Sequence, residues 1–419
     1  MTKQNTRRML IGGAVVLAGI FGYIKFSEFA TDPDIGGYNS VGDIVAIEKK
    51  DGATTRAVIF KSDGKSVELS EPAEPTQGDL EASWSLDGNR VFLSSNRKTK
   101  SYLVHRWNPE KNSVDIKREM NSMFQSAPWF GPAGDPNAAT NGLILSGGAV
   151  LEYETRTGNT LQVLPPVSGP VSSGEGQGNS SPMEAIYKKF GDSFRAARYM
   201  GRRDVVLAVM RGDNDYVVLL NRLYPNEDGG MYPPQEIFSK LRAKEVAIDV
   251  APDGSALIMV SHVRVFAELG DSLEGFEMKD GQPVPPFASG LFKLTMEGNE
   301  AKLAPIMVIP TEQQIMSGAT LSPDGSQIAV VIDDTEAKVK GMVLMPFKEG
   351  GAGEGQPLIQ GNVSTPSFSP DGKKIAFIKF ENSFSNVYVI NTDGSNEKKM
   401  SSDGYFSNPK FSPQLTAAK

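Results

Sequence analysis

Short apolar runs recur along the chain, and each follows a phrase of turn-forming residues. The clearest phrases are Ser322-Pro323-Asp324-Gly325 and Ser369-Pro370-Asp371-Gly372, and near copies stand at 85–88 and 251–254. Proline presets the second position of a turn, aspartate suits the third, and glycine the fourth. The pattern predicts hairpins that lead into buried strands. The apolar runs cover 91–93, 257–260, 328–331 and 375–378.

The phrases return at intervals of about 45 residues, which indicates a repeat architecture. Each repeat reads as four short strands: one before the turn, an apolar strand after it, a strand that ends in Asp-Gly, and a short outer strand. Seven repeats are predicted to start near Trp84, Phe130, Tyr199, Ile248, Thr320, Phe368 and Phe411.

The two ends of the chain complement each other. The last repeat has only its opening strand, whereas the region 43–69 supplies three strands without an opening phrase. Joining them completes one blade, and a closed ring leaves no exposed sheet edges. The predicted fold class is therefore all-β, a seven-bladed β-propeller closed by N- and C-terminal strands in one blade. It is expected over 41–415, with insertions at 169–198 and 263–289.

The first insertion contains a helix signal. Ser181-Pro182 is typical of a helix start, and we expect a short amphipathic helix against the ring. Its apolar positions are Ile186, Tyr187, Phe190 and Phe194, with Lys188, Lys189, Arg195 and Arg198 around them. The second insertion is acidic and proline-containing, so we expect a long surface loop.

The N-terminus resembles an export segment. Residues 9–24 carry no charge and lie between Arg7-Arg8 and Lys25. This predicts a cytoplasmic tail at 1–8, a signal anchor that forms a single N-terminal transmembrane helix at 9–26, and a linker at 27–40. The expected localisation is the inner (cytoplasmic) membrane with the body in the periplasm or extracytoplasmic space. The alternatives are a secreted periplasmic protein after signal cleavage, and a buried core helix.

Composition and motifs limit the candidate functions of the chain. The formal net charge of −7 makes nucleic acid a poor candidate partner, and the absence of cysteine excludes disulfides and thiol catalysis. The two histidines, His105 and His262, belong to no recognisable motif. No nucleophile elbow or Gly-rich phosphate loop is present, and the Asp-Gly turns lack the spacing of a calcium loop. We therefore predict no catalytic residue, no cofactor and no metal site.

The C-terminal repeats resemble those of TolB-like β-propellers, most closely over 364–413. The resemblance rests on Ser369-Pro370-Asp371-Gly372, Val387-Tyr388-Val389-Ile390 and Asn391-Thr392-Asp393-Gly394. It implies a periplasmic or exported protein that binds other proteins. It covers the propeller only: TolB carries an additional N-terminal domain, for which we expect no room before the strand at Ile44. The role of TolB is therefore not transferred.

The sequence favours a membrane-anchored, extracytoplasmic propeller that acts as a non-catalytic protein-binding or scaffold subunit of an envelope complex. Its expected partners are envelope or membrane proteins. The candidate partner-binding residues are Tyr187, Phe190, Phe194 and Arg198, because aromatic residues and arginine are enriched at interface hot spots. Simple packing of these side chains on the propeller is the other interpretation. Two alternative functions stay open: a pore-face enzyme (lyase or glycan-acting hydrolase) and a glycan or small-ligand sensor.

Overall fold

The computed structural model describes residues 38–413 with internal gaps, of which the longest are 127–140, 165–192 and 262–276. This described part contains strands and no helix. It accordingly offers no helix that is long and apolar enough to span a bilayer. The expectation of a fold preceded by a transmembrane helix is thus not supported, and residues 9–26 lie outside the described residues.

The strands before the first long insertion are β1 (Ile44–Lys49), β2 (Thr55–Phe60), β3 (Ser66–Glu68), β4 (Asp79–Trp84), β5 (Val91–Ser95), β6 (Tyr102–Asn108), β7 (Ser113–Met120), β8 (Asn141–Ser146), β9 (Ala149–Glu154) and β10 (Thr160–Leu164). The middle strands are β11 (Ser193–Met200), β12 (Asp204–Arg211), β13 (Asp215–Arg222), β14 (Gln235–Arg242), β15 (Glu245–Val250), β16 (Ala256–Ser261), β17 (Glu277–Lys279), β18 (Gln282–Val284), β19 (Ser289–Glu297) and β20 (Glu300–Ile309). The last strands are β21 (Gln314–Leu321), β22 (Gln327–Asp334), β23 (Val339–Lys348), β24 (Gly351–Ala352), β25 (Gln356–Gln360), β26 (Val363–Phe368), β27 (Lys374–Glu381), β28 (Phe384–Asn391), β29 (Lys398–Lys399) and β30 (Tyr405–Phe411).

The strands form a β-propeller, but the predicted number of seven blades is wrong. When each separate sheet of at least four strands counts as a blade, the described residues form five. These are β4–β7, β11–β14, the sheet of β15, β16, β19 and β20, the sheet of β21–β25, and an eight-stranded sheet of β26–β30 with β1–β3.

Two tertiary features explain the difference. The second repeat contributes a sheet of only three described strands, β8–β10. The last two repeats are joined into one sheet, because Ser385 of β28 pairs in parallel with Tyr405 of β30. Neither feature changes the turn phrases, so the number of repeats in the sequence exceeds the number of blades counted in this way.

The predicted pairing of the two chain ends is present. β30 runs antiparallel to β1, with Phe411 opposite Ile44 and Tyr405 opposite Lys49. The predicted repeat starts, apart from Phe130, fall on the first strand of a set: β4, β11, β15, β21, β26 and β30. Phe130 lies outside the described residues.

The turn phrases have the geometry that their residues dictate. The amide of Gly325 donates to the carbonyl of Ser322 at 2.8 Å, and Gly372 donates to Ser369 at 2.9 Å. Both glycines have positive φ, +73° and +69°, which a residue with a Cβ adopts less easily. Each phrase therefore fixes the connection between the first and second strands of its set.

The strands that follow the turns are buried on both faces. In β12, Val206 and Ala208 pack towards one neighbouring sheet, whereas Val205, Leu207 and Val209 pack towards the other. Side chains alternate across a strand, so a central strand can join two layers of core. The central strand β12 therefore joins the cores on both sides of its sheet.

Candidate functional site

The structure does not assemble the predicted partner-binding group on a helix. Tyr187 and Phe190 lie outside the described residues. Phe194 and Arg198 lie on β11, so the expected helix is wrong over 193–198. Phe194 is 2% exposed and packs in the core with Leu207 and Val209, whereas Arg198 lines a cavity.

A β-bulge makes β11 an irregular strand. In its pairing with β12, Phe194 lies opposite Val209 and Ala196 opposite Ala208, so Arg195 is an extra residue. A bulge interrupts the two-residue alternation that identifies a strand. The bulge also turns Arg195 towards the cavity.

The cavity, which we call the axial cavity, lies between the first strands of the sets. β11 contacts β15, β21 contacts β26, and β30 contacts both β26 and β4. Residues of all six strands line the same space, which has a volume of about 560 Å³. That volume lies within the range of about 300–1,000 Å³ typical of ligand pockets.

The charged residues of the axial cavity come from different strands. The described lining contains Glu81 of β4, Arg195 and Arg198 of β11, Asp249 of β15, and Lys410 of β30. The Lys410 ammonium lies 3.3 Å from Glu81, which makes an ion pair between β30 and β4. The indole nitrogen of Trp84 also donates to the carbonyl of Lys410 at 3.1 Å. These contacts hold the C-terminal strand against the first blade.

Arg198 and Asp249 are electrostatically coupled. Burial raises the pKa of the Asp249 carboxyl, and the charge of Arg198 is the strongest opposing influence. Burial likewise lowers the pKa of the Arg198 guanidinium, and Asp249 opposes that change. Arginine stays protonated in proteins, so the opposite charges of this pair offset part of each other's desolvation.

The backbone of the axial cavity is strained at two places. Thr365 and Asn408 have φ of +48° and +51°, and both line the cavity. Each precedes a proline inside the first strand of its set, at Pro366 and Pro409. Positive φ is unusual for a β-branched residue, and such backbone strain clusters at functional sites.

Both strained residues lie in interruptions of strand pairing. The register of β26 with β27 shifts between Ser364 and Ser367. The register of β30 with β1 shifts between Lys410 and Ser407. Sequence reasoning missed this feature, although a proline inside a strand signals an edge strand or a bulge, because proline cannot donate to the strand ladder.

A second surface lies at the end of the β27–β28 hairpin. Phe380 is 44% exposed and Tyr405 is 51% exposed, and the Tyr405 ring lies 5.7 Å from the ring of Phe384. Phe380 pairs with Ser385, which pairs with Tyr405, so the three aromatic residues lie at the same end of adjacent strands. We call these three residues the aromatic patch.

Comparisons with known proteins identify no family. No family model matches the chain, and no curated protein matches it. One similar solved structure is TolB from Acinetobacter baumannii, with 13% identity, coverage of 89% of this chain and 67% of that chain, and a TM-score of 0.48.

Two further structures illustrate the range of similar proteins. A puromycin hydrolase has 11% identity, coverage of 87% and 53%, and a TM-score of 0.49. The Swd1 β-propeller domain from Myceliophteria thermophila has 9% identity, coverage of 84% and 97%, and a TM-score of 0.46. TolB and other β-propeller proteins are therefore among the structures to which this chain is similar. A β-propeller fold does not by itself decide whether a chain catalyses a reaction.

Proposed function

We propose that the chain is a non-catalytic protein-binding module that acts as a subunit of a complex in the cell envelope. The observation that supports this proposal is the aromatic patch, which exposes Phe380 and Tyr405 to solvent. Aromatic side chains supply much of the binding energy at protein interfaces, because they bury a large area with few rotatable bonds. The extracytoplasmic location rests on residues 1–25 and on the TolB-like repeat.

The patch is held on stiff backbone. Two residues with positive φ, Asn382 and Ser383, connect β27 to β28, as in a tight two-residue hairpin. Lys379 forms ion pairs with Glu397 at 2.6 Å and with Glu381 at 3.1 Å. The Tyr388 hydroxyl donates to Glu381 at 2.5 Å. These contacts reduce the ordering that binding would require.

The aromatic patch defines the chemistry of its partner. Its exposed side chains, Phe380 and Tyr405, are large aromatic groups. The partner should therefore offer an apolar or aromatic surface that can bury them.

The test is photocrosslinking at a single position in the full-length protein in its native cells. We expect a crosslinker at Tyr405 to capture a defined partner protein, and one at Leu161 to capture none of it. Leu161 is a matched control, because it is also apolar and is 64% exposed. Tyr405→Ser should then weaken binding of the purified partner by about tenfold or more, as expected for a hot spot.

The fold of each variant is checked by thermal unfolding before binding is measured. Leu161→Ser should bind the partner as the wild type does. Equal capture at the two positions, or equal affinity of Tyr405→Ser and wild type, would show that the aromatic patch is not the binding surface.

A further inference from the structure

We propose that the axial cavity is a binding site for a small organic anion that carries a carboxylate or phosphate group. This site is distinct from the aromatic patch, and the proposal goes beyond protein binding. It rests on the charges that line the cavity, on the bulge at Arg195 and on the hydroxyl of Thr365.

The charges of the axial cavity favour an anion. Its described lining carries the three cations Arg195, Arg198 and Lys410 against the two acids Glu81 and Asp249. Lys410 lies beside Glu81, and Arg198 attracts Asp249. The chain as a whole has a formal charge of −7, so this local excess of positive charge runs against the overall charge. Within low-dielectric walls such an excess concentrates anionic ligands.

The bulge in β11 gives Arg195 its position. Its neighbours Phe194 and Ala196 are buried in the core, whereas Arg195 is exposed and lines the cavity. Bulges are frequent beside binding sites because they redirect one side chain without disturbing the rest of the strand. An arginine can hold a carboxylate or phosphate through two parallel hydrogen bonds.

The Thr365 hydroxyl provides an independent indication. Its oxygen is buried and has no hydrogen-bond partner among the described protein atoms, and the residue lines the axial cavity. A buried hydroxyl without a partner is unfavourable, and here it stands on strained backbone with φ of +48°. Rotation about the Cα–Cβ bond of Thr365 would bring the hydroxyl to the surface of the cavity, where an oxygen of a bound anion would accept its hydrogen bond.

The test is isothermal titration of the full-length protein with inorganic phosphate and, separately, with tricarballylate at constant ionic strength. Glycerol serves as the uncharged probe. The variants are Arg195→Gln and Thr365→Val. Lys65→Gln is the matched control, because the Lys65 side chain is 79% exposed and does not line the axial cavity. We expect at least one anion to bind, and each cavity variant to weaken that binding by about tenfold.

Each outcome is decisive. Binding of phosphate alone, or of tricarballylate alone, supports the proposal and identifies the chemical group that is recognised. Binding of neither probe overturns it, as does binding that Arg195→Gln and Thr365→Val leave unchanged. Tyr405→Ser should retain anion binding, and Arg195→Gln should retain the crosslink at Tyr405. The failure of one proposal can thus be distinguished from the failure of the other.

Discussion

Thr365 is a residue whose backbone conformation fits its side-chain type poorly. It is β-branched, has φ of +48°, and precedes Pro366 in a strand that lines the axial cavity. A residue in a sparsely populated backbone region costs about 1–3 kcal/mol. The surrounding sheet holds Thr365 in this conformation. The strain favours a functional role for the hydroxyl over a contribution of the residue to stability.

Replacing Thr365 with glycine should therefore stabilise the protein. Glycine adopts positive φ without a steric penalty but loses more entropy on folding, so we expect the free energy of unfolding to rise by about 1 kcal/mol. Asn408→Gly is the matched comparison, because Asn408 has φ of +51° and asparagine tolerates it better. Its gain should be smaller. Urea unfolding of both variants measures the difference. A Thr365→Gly variant less stable than the wild type would contradict the inferred backbone strain at Thr365.

At the scale of the elements, the hairpins follow from local sequence, and the pairing irregularities do not. The Ser322 and Ser369 phrases form the predicted turns because proline, aspartate and glycine each satisfy one turn position. The bulge at Arg195 depends on how β11 meets β12. Its sequence around Phe194 gave a false helical pattern, and only tertiary packing identifies the strand.

The turn phrase also predicts a pH dependence. The Ser322 hydroxyl donates to the Asp324 carboxylate at 2.6 Å, and the amide of Ser326 donates to it at 3.0 Å. These hydrogen bonds, led by that from Ser322, lower the pKa of Asp324. Because the pKa is lower in the folded state, the contribution is present above the unfolded value of about 3.9 and is lost as pH falls through the folded value.

Ser322→Ala should consequently destabilise the protein by about 1 kcal/mol at pH 7 and by less at pH 3. Urea unfolding at the two pH values measures this change. The control is Ser66→Ala, since Ser66 is an exposed serine at the start of β3, and it should have little effect at either pH. An effect of Ser322→Ala that is equal at both pH values would show that the serine acts without the charge of Asp324.

At the scale of the whole molecule, the ends of the chain close the ring. The hydroxyls of Ser40 and Ser412 lie 2.5 Å apart, and the amide of Ser412 donates to the carbonyl of Asp43 at 2.8 Å. The Tyr38 hydroxyl donates to the Asp43 carboxylate at 2.9 Å. The sequence predicted this closure because the last repeat had only its opening strand and the N-terminal region supplied three strands without one. It could not predict that only five sheets have four strands or more, since the joining of β28 to β30 depends on long-range packing.

Removal of β30 tests whether this closure supports the whole fold. Phe406 and Phe411 of β30 are 5% and 9% exposed, and burial of each side chain contributes about 1.5–3 kcal/mol. Together with the lost pairing to β1, their removal approaches the 5–15 kcal/mol that stabilises a typical domain. A chain that lacks 405–419 should therefore unfold at a much lower temperature, or fail to fold.

A chain that lacks only 414–419 is the control, because it retains β30 and should melt as the wild type does. If calorimetry gave the same melting temperature for both truncations, the ring would be stable without its terminal strand. The propeller would then behave as an open array of sheets in which each contacts only its neighbours.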